Sequence, residues 1–202
     1  MPGDSDGNGG TDALPDTDEH LAPDIPPSGH TLLTGPSNTG KTRRTAAALR
    51  EYVARHGRAG VVVLEFAPTL VRDGQVLGGR LDRFGTPRVA WTGTLFAHAP
   101  RAESRGDQPR ALDLARANAR NAERLLDAAP PPEAVFVNDA TIPFQATGDP
   151  SPLARYCEGA SVVVTNAFDG DLGEGPVSEH ERSALAVLDD RAHRRVRLAG
   201  DG

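Results

Sequence analysis

From His30 onward, short apolar runs of strand length alternate with stretches of helical periodicity. Residues 31–35 read as a first strand. A helix then spans residues 41–56, because Thr42, Thr45, Ala46, Leu49, Val53 and His56 recur at helical spacing and Gly57 closes it. The run GVVVLEF at 60–66 has no polar alternation, as in a strand covered on both faces. RVAWTG at 88–93 is a weaker third strand. The longest helix signal covers 109–129: Ala111, Ala115, Asn118, Ala122, Leu125 and Ala129 form one face, Leu112 and Leu126 widen it, and Pro109 sits in the first turn. AVFVND at 134–139 and ASVVVTN at 160–166 are two more buried-type strands. Ser178 to Glu181 has capping-box spacing and opens a helix toward Asp190, and RVRL at 195–198 is a last strand.

Strand and helix in alternation predict an α/β domain, a three-layer αβα sandwich on a mainly parallel sheet, over residues 29–202. Residues 1–28 are rich in Gly, Asp and Pro and nearly free of large apolar side chains. Such a segment cannot bury enough surface to offset its ordering entropy, and an acidic disordered tail is expected there. The long irregular stretches are expected at 94–108 and 140–151, and loops of that length in a compact domain are often functional.

Composition adds exclusions. The formal net charge is −6, so nothing draws the whole molecule to nucleic acid or an anionic membrane. One cysteine, Cys157, forbids an internal disulfide framework, and six histidines show no metal-ligand spacing. With no signal-like start and no apolar run near membrane length, a cytoplasmic protein with no membrane partner is expected. Lys and Arg number 22 in total, and only one of them is lysine: Lys41. A chain that uses arginine everywhere else keeps its single flexible ammonium group at one place.

That place is a motif. Gly35, Pro36, Ser37, Asn38, Thr39, Gly40, Lys41 and Thr42 match G-x-x-x-x-G-K-[ST] in full, between a predicted strand and a predicted helix. Glycines let such a loop wrap a phosphate chain with its N–H groups inward, and the helix start adds its positive end. Lys41 would bridge the β- and γ-phosphates and the Thr42 hydroxyl would bind Mg²⁺, which makes ATP and Mg²⁺ the expected cofactors. An acidic residue at the end of a nearby strand is needed for the metal, and Asp139 after Val137 and Asn138 is the candidate for both metal and catalytic roles. Glu65, ending the run at 61–64, would lie at the carboxyl edge of the sheet, where it either activates a nucleophile or pairs with an arginine. Asn166 ends another strand and is a candidate to contact the nucleotide. Asn166 and Asp169 have the N-x-x-D spacing of guanine-reading loops, but lysine is missing between them, so ATP is expected over GTP. Trp91 reads as core more than as a stacking ring. Arg101, Arg105 and Arg110 lie in or beside the 94–108 loop, where one of them can clamp a substrate.

The motif GPSNTGKT resembles that of the P-loop NTPase superfamily. Two further strands precede the acidic one, and Glu65 ends the first of these, an order similar to the RecA-like branch, which implies Glu65 as general base. A looser likeness covers most of residues 30–198 and is to the corrinoid adenosyltransferases. Trp91, the helix at 109–129, residues 135–139 with Thr141, residues 162–166 and residues 195–198 fall in that family's order. The P-loop here is longer than theirs, Asn138 and Asp139 stand where they carry Asp-Glu, and Thr165, Asn166 and Ala167 replace Thr-Gly-Arg. The expected function is therefore an ATP–Mg²⁺-binding NTPase or nucleotide-dependent transferase acting on an unidentified small-molecule acceptor. Corrinoid adenosylation, small-molecule kinase activity and a non-catalytic nucleotide-binding regulatory module are the alternatives. A homo-oligomer is compatible with the RecA-like analogy.

Overall fold

A computed structural model of the chain describes residues 28–199 apart from 69, 73, 74 and 78. The tail expected over 1–28 lies outside these residues, Ser28 excepted. In chain order the elements are β1 (Gly29–Gly35), α1 (Lys41–His56), β2 (Val61–Glu65), β3 (Leu70–Arg72), β4 (Gln75–Leu77), a 3₁₀ turn (Leu81–Phe84) and β5 (Trp91–Thr94). There follow α2 (Pro100–Ser104), α3 (Gln108–Ala128), β6 (Ala134–Asn138), a second 3₁₀ turn (Ile142–Phe144), α4 (Ser151–Cys157), β7 (Val162–Phe168), α5 (Pro176–Arg191) and β8 (Arg194–Arg197). β3 and β4 pair antiparallel in a small separate hairpin. The other six strands make one sheet in the order β5-β2-β6-β7-β1-β8, every neighbouring pair parallel.

The run VVVLE forms a central strand because every one of its side chains is buried. Alternate residues serve opposite faces. Val62, Leu64, Val135 and Val137 join Leu32 in a core closed by Ala122 and Leu126 of α3, Leu153 of α4 and Ala184 and Leu188 of α5. Val61, Val63, Phe136, Val162 and Val164 join Leu33 on the other face, closed by Ala46, Ala48 and Leu49 of α1 and by Leu81. Helices thus cover both faces of a parallel sheet, the α/β arrangement the pattern predicted. The register aligns Glu65 with Asn138, Val137 with Thr165, and Gly35 with Phe168. One edge of the sheet therefore collects the carboxyl ends of β1, β2, β6 and β7.

Several expectations need correction. The third strand begins at Trp91, so Arg88, Val89 and Ala90 belong to the approach to it. Trp91 folds back across Gly93, where an added Cβ would stand 2.2 Å from its ring, and it packs on the first core as expected. Residues 66–90, expected to raise no long irregular segment, carry the hairpin and the 3₁₀ turn. The 94–108 loop contains α2, and α4 follows directly on the 140–151 stretch. The capping box at Ser178 does not form. α5 starts two residues earlier, at Pro176 after Gly175, a proline favoured in the first turn because it needs no N–H acceptor there. Ser178 Oγ donates instead to Leu172 O, and Glu181 turns inward.

Candidate functional site

The 35–42 loop bends where the sequence places residues that tolerate it. Gly35 has φ 153°, Asn38 64° and Gly40 83°. A Cβ on Gly35 would stand 2.4 Å from Leu198 O, a backbone atom that cannot swing aside, whereas one on Gly40 would meet only open space. Gly35→Ala is accordingly expected to cost about 2–4 kcal/mol in a denaturant melt, and Gly40→Ala only about 1. Equal losses at the two positions would contradict this account. No side chain caps the start of α1 and no acidic residue lies in its first turn, so the helix presents its N–H groups without competition. Thr39 Oγ1 donates to Pro36 O at 3.0 Å and braces the loop from within.

Lys41 opens the helix, and its side chain curls back under the loop. Its Nζ donates to Gly35 O at 2.8 Å and to Pro36 O at 2.5 Å, and lies 5.7 Å from the centre of the Phe168 ring. Ser37 to Arg43 line a cavity of about 610 Å³, within the range of small-ligand sites. Asp139 lines it too, set just past the end of β6 in a left-handed conformation with φ 57°. Burial pushes the Asp139 carboxyl up to about 6; Lys41 opposes the shift, while Glu181 and Glu65 add to it. Burial likewise holds the Lys41 ammonium below its ordinary range, against the pull of Asp139 and then Asp169. The two groups attract each other, yet desolvation outweighs the attraction at both. Each has room for a further partner, an anion for Lys41 and a cation for Asp139.

Beneath the cavity a buried polar chain joins five elements. Glu65 accepts from Leu81 N at 2.7 Å on one oxygen and from Asn138 Nδ2 at 2.9 Å on the other. Asn138 accepts from Asn166 Nδ2 at 2.9 Å, and the same nitrogen donates to Thr45 Oγ1, which in turn donates to Lys41 O. Asn166 Oδ1 takes the Asp139 N–H at 2.9 Å. Two of the expected site residues thus stand outside the cavity lining. Glu65 is 2% exposed with both oxygens engaged, and Asn166 is fully enclosed; neither lines the cavity. Burial raises the Glu65 carboxyl, and its bonds to Asn138 and Leu81 pull it back. Asn166 holds the backbone at Asp139 and the first turns of α1 in one frame.

The far wall was not foreseen. Glu181, 1% exposed on α5, accepts from Thr141 Oγ1 at 3.0 Å, from Gln145 Nε2 at 2.7 Å and from Arg101 Nη1. All four residues line the cavity. Of the three arginines singled out, Arg101 alone reaches it; Arg105 ends α2 and Arg110 lies in the first turn of α3. The 94–108 loop is pinned by Asn118, which accepts from His98 N at 2.8 Å and donates to His98 O at 3.0 Å, and by Glu103, which accepts from Ala99 N at 2.6 Å. One sequence signal pointed to Glu181: it is a carboxylate on the buried stripe of α5 with Val177, Ala184 and Leu188.

Thr42 and Asp139 both face the cavity, and among the described residues no cluster of three or more His, Cys, Asp or Glu could hold a metal by itself. A cation here would draw on Thr42, Asp139 and an anionic ligand together. Among the described residues no helix is long and apolar enough to cross a membrane. No protein-family model matches the chain, and neither does any curated protein sequence.

Proposed function

We propose that the chain binds a nucleoside triphosphate with Mg²⁺ at the 35–42 loop and cleaves it or transfers part of it to an acceptor. The observation that carries this reading is a juxtaposition. An uncapped helix start and a desolvated lysine face one side of a cavity, and a desolvated aspartate just past the end of β6, one strand removed from β1 across β7, faces the same space. A phosphate chain would satisfy the loop N–H groups and Lys41, and its Mg²⁺ would satisfy Thr42 and Asp139. We read the topology as that of a P-loop domain of RecA-like type, with β1 feeding the loop, β6 carrying Asp139, and Glu65 positioning Asn138. ATP is the preferred nucleotide, because the guanine-reading lysine is missing after Asn166.

Calorimetry with ATP tests the reading: heat of binding is expected with Mg²⁺, and its absence would end the proposal. Asp139 gives a sharper check. Its folded pKa lies above the ordinary value, so its contribution to stability is complete below about pH 4 and is lost as pH rises through about 6. Binding of the metal needs the ionised form and runs the other way. Asp139→Asn is expected to raise stability at pH 8 by about 1–2 kcal/mol, allowing for solvent at its half-buried carboxylate, and to weaken Mg²⁺-dependent binding roughly tenfold. Wild-type affinity for ATP–Mg²⁺ should fall as pH drops below about 6. A variant that loses stability and keeps its Mg²⁺ dependence would contradict both halves.

One observation favours a second reading, a nucleotide-binding regulator with negligible turnover. Each oxygen of Glu65 already accepts a hydrogen bond, one from Leu81 and one from Asn138, and the side chain does not line the cavity. Binding of ATP–Mg²⁺ without release of phosphate or triphosphate would select it.

A further inference from the structure

We propose that the wall formed by Arg101, Gln145 and Glu181 seats a hydroxyl group of an uncharged second substrate. The inference rests on reading the 35–42 loop as the phosphate site, since the two share one cavity.

Glu181 is fully served: Thr141 donates to Oε1, and Gln145 and Arg101 donate to Oε2. Because Gln145 Nε2 must face that carboxylate, the orientation of its amide is fixed, and Oε1 points away from Glu181. That oxygen is buried and has no hydrogen-bond donor. A buried acceptor left so costs about 1–3 kcal/mol until something donates to it. Gln145 is 1% exposed and lines the cavity, so a ligand donor meets Oε1 only with a small adjustment of this wall.

Arg101 decides what that donor is. Its guanidinium shares Glu181 Oε2 with the Gln145 amide, which sets the two groups side by side. One of its five N–H groups is spent on Glu181, and its side chain is 38% exposed, so others are free to donate toward the cavity. The seat thus offers one acceptor beside one donor. A hydroxyl donates and accepts at once and fits both. An ammonium cannot accept and meets the Arg101 charge; a carboxylate cannot donate and meets the Gln145 oxygen. Arg101 and Glu181 cancel in charge, so the seat has no net call for an ion. Pro100 and Ile142, in the same lining, give the carbon skeleton an apolar flank.

The test is an NMR titration of the whole ¹⁵N-labelled chain with ethylene glycol, the Gln145 side-chain amide being assigned by its loss in Gln145→Met. Glycol is expected to move that amide and the Arg101 backbone N–H in a saturable way, and acetate and methylammonium at equal concentration to leave them in place. In Gln145→Met the Arg101 response should weaken roughly tenfold, the equivalent of one hydrogen bond. An unmoved Gln145 amide, an equal response to acetate, or a glycol response unchanged in the variant would overturn the proposal. A second titration, with a non-hydrolysable ATP analogue and Mg²⁺, follows the Gly40 and Lys41 backbone N–H groups. If these respond while glycol does nothing, the seat is refuted and the nucleotide reading stands. If glycol binds and the analogue does not, the nucleotide reading falls and takes with it the assignment of the seat to a second substrate.

Discussion

Alanine in place of Lys41 is expected to weaken ATP–Mg²⁺ binding by roughly 100-fold or more, the worth of two charge-assisted hydrogen bonds to phosphate at about 1.5 kcal/mol each. Stability should change little. Lys41 is 8% exposed, and burial already holds its ammonium below its ordinary range, so removing the charge relieves a desolvation cost. Its two bonds to Gly35 O and Pro36 O are lost in exchange. Alanine suits the first turn of a helix, and Thr45 and Asn166 continue to bind the Lys41 carbonyl and each other through the backbone frame of α1. Calorimetry and a thermal melt on the same preparation separate the two effects. Retained affinity would remove Lys41 from the site, and a melt lowered by more than a few degrees would make it a structural residue.

Glu181→Ala should produce the largest loss of stability, about 3–5 kcal/mol, because it strands three donors around one missing acceptor. Arg101 would keep its charge beside the cavity with no counter-charge, and Thr141 and Gln145 would face each other's empty partner. At roughly 2–4 °C per kcal/mol for a chain of this size, the melting temperature should fall by about 10 °C. Pairing the change with Arg101→Met separates the charge from the packing: the double variant should recover part of the loss, since it removes the unmatched guanidinium. A loss below 1 kcal/mol for Glu181→Ala alone would show the cluster to be peripheral.

The bend of the 35–42 loop was legible in the sequence because consecutive residues set it: glycine where the backbone turns left-handed, lysine and threonine where the helix starts. The central strands were legible because VVVLE and AVFVN are apolar without alternation, and only a sheet covered on both sides uses such runs. Asn166 misled for the same reason that it matters. A ligand contact was expected of it at a strand end, but β7 runs on to Phe168, and Asn166 is bound instead to Asn138, in a pairing between residues 28 positions apart that register alone creates. The Gln145 and Glu181 contact spans 36 positions and depends on a 3₁₀ turn that carries no periodic signal. Pro176 displaced the predicted helix start because a first-turn proline outweighs a serine two residues later.

The two outermost strands, β5 and β8, bear on self-association. An unpaired strand edge is a template for another chain, and its danger grows with length and apolar character. Both edges here span four residues, and β8 reads RRVR, with three of its four residues exposed. Arg195 is bound to Asp189 at 2.7 Å through Nε and 2.5 Å through Nη2, and Arg197 lies 3.4 Å from Asp169. A strand docking on β8 would have to strip water from this ionic fringe for only a few backbone bonds in return. Copies of the molecule that meet in solution would therefore not join through β8, and the sheet would not extend from that edge into the next chain.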